Sequence, residues 1–186
     1  MSKAISGCLN IALRFSFALL ALAVCLPVTA QQLTADQERC RNRGKAFSPD
    51  VQIEGCTALL QSDGVSAHNR AVAYVNRGIA YAGKKDNDHA IADFNAAINI
   101  NPNFAAAYNN RGSAVQAKGD YDRAIADYSE AIRIDPNYAV AYSNRGNLFE
   151  AQGRREDAIA DFLRALAIDP NHERSRDALK RLGAAP

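Results

Sequence analysis

Apolar side chains recur along this chain at the spacing of one face of an α-helix. One such run covers Ala71–Ala82, and a second covers Asp88–Ile100. Because an α-helix has about 3.6 residues per turn, this spacing predicts two amphipathic helices. The polar segment Gly83–Asp86 predicts the turn between them. Asn101–Pro102 ends the second helix, since the residue before proline is pushed out of the helical conformation.

The two-helix pattern returns at a constant interval along the chain. Copies of the triplet Asn-Arg-Gly start at Asn42, Asn76, Asn110 and Asn144. Copies of the segment Ala-Ile-Ala-Asp start at Ala90, Ala124 and Ala158. The copies of both motifs are separated by the same number of residues, and we call this distance along the chain one period. Identity at a fixed spacing is typical of stacked helical repeats. We expect repeats at 69–102, 103–136 and 137–170, a degenerate N-terminal hairpin at 31–68 and a polar C-terminal capping helix at 171–186.

The triplet glycines are expected to lie where two helices cross. Each glycine precedes the alanine of an Ala-Ile-Ala-Asp segment by the same distance, as Gly78 precedes Ala90 and Gly112 precedes Ala124. Two small residues facing each other would let the helix backbones approach closely. Such an approach would explain a glycine inside a helix, where it costs about 1 kcal/mol relative to alanine.

These features resemble the tetratricopeptide repeat family. The family pattern of an aromatic, Leu-Gly, Tyr, Ala, Phe and Pro is met by Tyr74, Gly78, Tyr81, Ala90, Phe94 and Pro102. The next two blocks match at Tyr108, Gly112, Ala124, Tyr128 and Pro136, and at Tyr142, Gly146, Phe149, Ala158, Phe162 and Pro170. The resemblance implies an all-α fold, a right-handed α-α superhelix of antiparallel helix hairpins.

The sequence departs from the family pattern at one position in every copy. Where the pattern has leucine, this chain has Arg43, Arg77, Arg111 and Arg145. An arginine at a half-buried helix position needs a partner for its charge. The aspartates Asp93, Asp127 and Asp161 recur with the same period. We therefore expect Arg–Asp pairs within or between neighbouring repeats.

The first hairpin contains two cysteines. Ser48 and Pro49 predict a helix start, and two helices, Ala35–Ala46 and Asp50–Gln61, would fold back about Ser48, the second being displaced relative to the later repeats. Cys40 and Cys56 lie at equal distances from this bend, so antiparallel helices would bring them to the same height. A disulfide bond is predicted, and two buried free thiols are the alternative.

The first thirty residues have the features of a secretory signal peptide. They contain no acidic residue, carry Lys3 and Arg14 ahead of an apolar run, and end with small side chains at Val28–Ala30. Cleavage after Ala30 would export the protein to the periplasm or the medium. A retained membrane anchor and lipidation at Cys25 are the alternatives.

Charge and motif content exclude several classes of function. Removing residues 1–30 leaves 20 basic residues against 20 acidic ones, and the chain has no basic patch of the kind that nucleic-acid binding requires. Three scattered histidines and no CxxC motif give no zinc-ligand spacing. No catalytic motif is present. We expect no enzyme activity, no metal and no cofactor.

The resemblance implies that a protein or peptide partner binds along the first helices, in a concave groove. The residues expected to line it are Val72, Val75, Asn76, Ile79, Asn109, Asn110, Ser113, Gln116, Ser143, Asn144, Asn147 and Glu150. The triplet asparagines Asn76, Asn110 and Asn144 could bond the backbone of a ligand or a neighbouring repeat. Some relatives clamp a terminal carboxylate with basic residues, which are missing here at Val72, Val75, Ala106, Asn109, Val140 and Ser143.

The sequence thus predicts a monomeric, non-catalytic scaffold or adaptor for protein–protein contacts. One alternative is an assembly accessory anchored at the cell envelope, which would contact the membrane through a retained signal or a lipid on Cys25. Another is an accessory subunit of an envelope enzyme.

Overall fold

The computed structural model describes residues 28–42 and 45–184, and the regular structure in this part of the chain is entirely helical. The helices are α1 (Val28–Arg41), α2 (Pro49–Gln61), α3 (Ala67–Gly83), α4 (Asn87–Ile100), α5 (Ala105–Ala117), α6 (Tyr121–Ile134), α7 (Ala139–Ala151), α8 (Arg155–Ile168) and α9 (Glu173–Arg181). None of these helices is long and apolar enough to cross a membrane. The predicted signal peptide lies outside the described residues except for Val28–Ala30, and Cys25, Arg43 and Gly44 lie outside them as well.

Successive helices pack as hairpins, and the hairpins stack. The pairs α1–α2, α3–α4, α5–α6 and α7–α8 are in contact, and each second helix also contacts the first helix of the next hairpin. Side chains at the helix starts cap free backbone amides, as Ser66 does at α3 and Asp86 at α4. Gly119 and Gly153 end the first helices of their hairpins with positive φ, where glycine is unstrained.

A glycine packs against an aromatic ring inside each repeated hairpin. A Cβ atom on Gly78 would lie 2.7 Å from Cε1 of Phe94. Gly112 stands in the same relation to Tyr128, and Gly146 to Phe162. The sequence pattern predicted a small residue opposite this glycine and did not predict the ring, which follows the expected alanine by one turn on the same helix face. Absence of a side chain on the glycine makes room for the ring.

The predicted Arg–Asp pairs are confirmed, and they form within hairpins. Nε and Nη2 of Arg77 donate to the two carboxylate oxygens of Asp93, each at 2.8 Å. The other two pairs, Arg111–Asp127 and Arg145–Asp161, have the same bidentate geometry. These hydrogen bonds are the main cause that raises the pKa of each arginine above its ordinary value.

Each of these arginines also links its hairpin to the preceding one. The remaining nitrogen, Nη1, donates to a side chain on the second helix of the preceding hairpin, which is Thr57, Asn95 or Ser129 in turn. The guanidinium group also lies over the tyrosine ring of the preceding helical turn. For Arg111 and Tyr108, the distance from Cζ to the ring centroid is 5.3 Å. A single side chain therefore connects both helices of one hairpin with its neighbour.

The first hairpin differs from the prediction at its loop. α1 ends at Arg41 rather than at Ala46. Asn42 has a positive φ of 41°, and its side chain accepts from the Phe47 amide at 2.8 Å and donates to the Phe47 carbonyl at 3.0 Å. The positive φ of Asn42 ends the helix, and its two bonds to Phe47 close the loop. Ser48 caps α2 as predicted, accepting from Val51 N.

The second helix of this hairpin is displaced along the chain, as predicted. α2 begins about one turn earlier than the later second helices, but Cys56 keeps the repeat register and lies one period before Ala90. Both residues are fully buried. The Cys40 and Cys56 sulfur atoms lie at bonding distance, and the two Cα atoms are 4.4 Å apart.

The last helix covers the end of the stack. α9 packs on α8 and buries Ser175, Ala178 and Leu179, while Leu182 packs against the same cluster. The rest of its surface is charged, and Arg181 forms a bidentate pair with Glu150 of α7. Such a helix covers the apolar face of the final repeat and presents a polar surface to water.

The glycine–ring contact predicts a specific stability change. The new methyl group in Gly112→Ala would lie 2.9 Å from Cε1 of Tyr128, so the ring must shift. We expect the free energy of unfolding to fall by about 1–2 kcal/mol in urea denaturation, despite the better helix propensity of alanine. The matched control is Gly83→Ala, where nothing lies within 4 Å. Equal effects of the two substitutions would contradict the contact.

The arginine pairs predict a non-additive pattern of stability. Asp127→Ala leaves Arg111, whose side chain is only 19% exposed, without its carboxylate, and we expect a loss of about 3 kcal/mol in the free energy of unfolding. The double variant Arg111→Leu/Asp127→Leu leaves no unpaired charge and should lose less. Glu130→Ala, which breaks the exposed pair with Arg133, should change stability by less than about 1 kcal/mol. A double variant less stable than Asp127→Ala would refute this role.

Candidate functional site

The first helices of the hairpins form one continuous layer. α3 contacts both α1 and α5, and Nδ2 of Asn144 on α7 donates to Oδ1 of Asn109 on α5 at 3.0 Å. Residues one period apart therefore come to equivalent places on neighbouring helices. We use "the groove" for the accessible face of α3, α5 and α7 in this layer, which carries the predicted partner-binding residues.

Three of the predicted lining residues do not reach the surface. Val75, Asn109 and Ser143 occupy equivalent places and are 5%, 4% and 2% exposed. Their inclusion was wrong, because this position packs within the layer, as Val75 does against Ala107 and Ala114 of α5. The other predicted residues are at least partly exposed: Val72, Asn76, Ile79, Asn110, Ser113, Gln116, Asn144, Asn147 and Glu150.

The triplet asparagines do not share one role. Asn144 bonds the neighbouring repeat through Asn109. Asn110 instead donates to the Ala106 carbonyl of its own helix at 2.8 Å, because Val75, which stands where Asn109 would be, cannot accept. The Asn110 amide is therefore bonded within its own helix and not to a neighbouring repeat.

The buried hydroxyl of Ser143 lies where the asparagine series between neighbouring repeats ends. Ser143 Oγ has no hydrogen-bond partner within the described chain. Ala178 of α9 lies one period after Asn144, so a methyl group stands where an amide would continue the series. The sequence could have revealed that the series stops here, because the period extends into α9 and places Ala178 at the asparagine position.

Tyr128 of α6, the second helix of the middle repeat, holds two groove residues in place. Tyr128 is buried in the core, and its hydroxyl donates to Gln116 Oε1 at 2.8 Å and lies 3.2 Å from Ser113 Oγ. Burial raises the pKa of Tyr128, and the hydrogen bond with Ser113 opposes that rise. The equivalent rings, Phe94 and Phe162, have no hydroxyl, so the middle repeat has the only such anchor among the three.

The groove is close to electrically neutral. Glu150 is the one ionisable side chain among the accessible lining residues, and Arg181 pairs with it through two hydrogen bonds at 2.8 and 2.7 Å. That pairing is the main cause that lowers the pKa of Glu150. Within the part of the chain that is described, no three His, Cys, Asp or Glu side chains are grouped as a metal site requires.

Comparison with known families identifies repeats in the same region. A model described as "Tetratricopeptide repeat" matches residues 71–104 and 139–172. A second model, described as "TPR repeat", matches residues 117–153. No curated protein matches the chain in sequence.

Solved structures share the arrangement of the helices. MamA matches with a TM-score of 0.63 and 27% identity, covering 77% of this chain and 79% of that one. The TPR domain of Arabidopsis OM64 matches with a TM-score of 0.61 and 29% identity, covering 63% of this chain and 98% of that one. The first TPR of Spaghetti (RPAP3), bound to the HSP90 peptide SRMEEVD, has a TM-score of 0.60 at 24% identity, covering 66% and 96%.

These matches confirm the predicted fold class, an all-α superhelix of stacked helix hairpins. Residues 71–104 and 117–172 of this chain are therefore tetratricopeptide repeats.

Proposed function

We propose that this protein is an exported, monomeric, non-catalytic adaptor that binds an extended segment of a partner protein along the groove. The observation that supports this most directly is the continuous strip of accessible side chains across α3, α5 and α7. Tetratricopeptide domains are protein–protein interaction modules, and some of them bind peptides. The fold itself is generally a non-catalytic scaffold.

The groove has the dimensions and chemistry for an extended, uncharged segment. Packed helices lie about 8–10 Å apart, so three first helices span roughly six to eight residues of extended chain. Ile79 and Val140 are 44% and 41% exposed and offer apolar contacts. Between them, Asn110 and Ser113 provide amide and hydroxyl groups that can pair with a peptide backbone.

The repeated charged residues are already used in the fold, which supports a non-catalytic role. Each aspartate of the Ala-Ile-Ala-Asp segments accepts two hydrogen bonds from the arginine of its own hairpin. A carboxylate held in this way is engaged as an acceptor and lies inside the stack, away from the groove.

Two features support export. The sequence of residues 1–30 fits a signal peptide. Cys40 and Cys56 lie at bonding distance, and a disulfide bond persists in the oxidising compartments that exported proteins reach. The bridge would stabilise the first hairpin, which within the described residues packs against the hairpin that follows it.

Charge placed in the groove should abolish capture of the partner. We expect Ile79→Arg/Ser113→Arg to weaken binding at least about tenfold, because two bulky cations would occupy an apolar and neutral surface. The measurement is pull-down from the native compartment, followed by titration of the captured protein. Tyr121→Arg/Leu163→Arg is the matched control, since both residues are exposed outside the groove. Undiminished capture by the groove variant would reject the proposed site.

Oxidation of the cysteines can be measured on the exported protein. Digestion without reductant should yield one disulfide-linked pair of peptides containing Cys40 and Cys56, detected by mass spectrometry. Reduction should lower the free energy of unfolding by roughly 3 kcal/mol, as expected for a loop of this length. The Cys40→Ala/Cys56→Ala variant should not respond to reductant. Free thiols at both positions after export would disprove the bridge.

A further inference from the structure

An open cleft lies between α4, α5 and α6, outside the groove. Its volume is about 330 Å³. Ile91 of α4 and Val115 of α5 are apolar residues that line it, and charged residues form the rest: Asp88, Lys118, Asp120 and Arg123. The cleft sits at the turn between α5 and α6, next to the start of α4.

The two neighbouring repeats fill the equivalent place with a ring of their own. Tyr81, one period before Val115, stacks on His89 with the ring centroids 5.0 Å apart. Phe149, one period after Val115, is 8% exposed. The Arg154 guanidinium group lies over its ring, with Cζ 4.1 Å from the ring centroid. In both repeats an aromatic side chain packs against a residue near the start of the following helix.

Valine at this position leaves the cleft open. Val115 is itself buried and packs in one cluster with Tyr128 and Leu148. A valine side chain is too short to extend beyond that cluster as Tyr81 and Phe149 do. The apolar lining that supports a ring in the other repeats therefore remains without one.

The charged residues of the cleft favour a neutral ring over an ion. Lys118 pairs with Asp88, and Nη1 of Arg123 lies 3.8 Å from Oδ2 of Asp120, so the charges balance. The Arg123 side chain is 62% exposed, which leaves its guanidinium group able to stack on a ring. Arginine stacks well on aromatic faces, and the Arg154–Phe149 contact shows this arrangement in the next repeat.

We propose that this cleft is a second recognition site, which binds a phenylalanine or tyrosine side chain of a partner protein. The partner's ring takes the place that Tyr81 and Phe149 occupy in the adjacent repeats. The site is separate from the groove, and its existence does not depend on the proposed groove function.

Binding of a single amino-acid probe tests the site directly. The probe is N-acetyl-L-phenylalanine amide, titrated into the isotope-labelled full chain and followed by amide chemical shifts. We expect saturable shifts at Ile91, Val115 and Lys118, and an affinity at least threefold weaker for N-acetyl-L-cyclohexylalanine amide, whose ring is similar in size but has no flat aromatic face. Absence of saturable shifts with the phenylalanine probe overturns the proposal.

Two variants distinguish the cleft from non-specific contact. Val115→Phe supplies the missing ring from within the chain and should abolish the shifts, while Val140→Phe, on an exposed groove position, should leave them intact. Retained binding in a folded Val115→Phe variant overturns the proposal. If that variant does not fold, Arg123→Ala decides: a loss of at least twofold in affinity supports stacking, and unchanged affinity overturns it.

Discussion

The contact between a glycine of each first helix and an aromatic ring of the second sets the spacing inside every repeated hairpin. Because Gly78, Gly112 and Gly146 meet equivalent rings, the three hairpins have the same shape. Hairpins of one shape stack in one way, so residues one period apart reach equivalent positions. The layer of first helices, and with it the groove, follows from this repeated contact.

The arginine next to each glycine connects neighbouring hairpins. Arg111 pairs with Asp127 beside the glycine–ring contact and reaches Asn95 of the preceding hairpin. A bidentate pair requires a defined geometry, so it favours one register of the two helices over others. The hydrophobic contacts supply most of the stabilisation in such a stack, and the arginine defines how the parts fit.

The period in the sequence was sufficient to predict the helices, the Arg–Asp pairs and the proximity of the two cysteines. It could not identify which residues of the first helices face solvent, since burial of Asn109 and Ser143 depends on how neighbouring hairpins pack. The end of α1 was missed because Asn42 closes its loop through side-chain bonds to Phe47, which periodicity does not reveal. The ring that contacts each glycine was not predicted, because it lies on the same helix face as the alanine that the period identified. The cleft beside Val115 depends on how α4, α5 and α6 pack together, which the period alone does not determine.

The central claim is that the groove, and not the opposite side of the stack, contacts the partner. Site-specific photo-cross-linking in the native compartment tests it most directly, with a benzophenone amino acid placed at Asn147 in the groove or at Leu163, an exposed residue of α8. The account predicts a discrete cross-linked product from Asn147 and none of that size from Leu163. A product from Leu163 alone would contradict it.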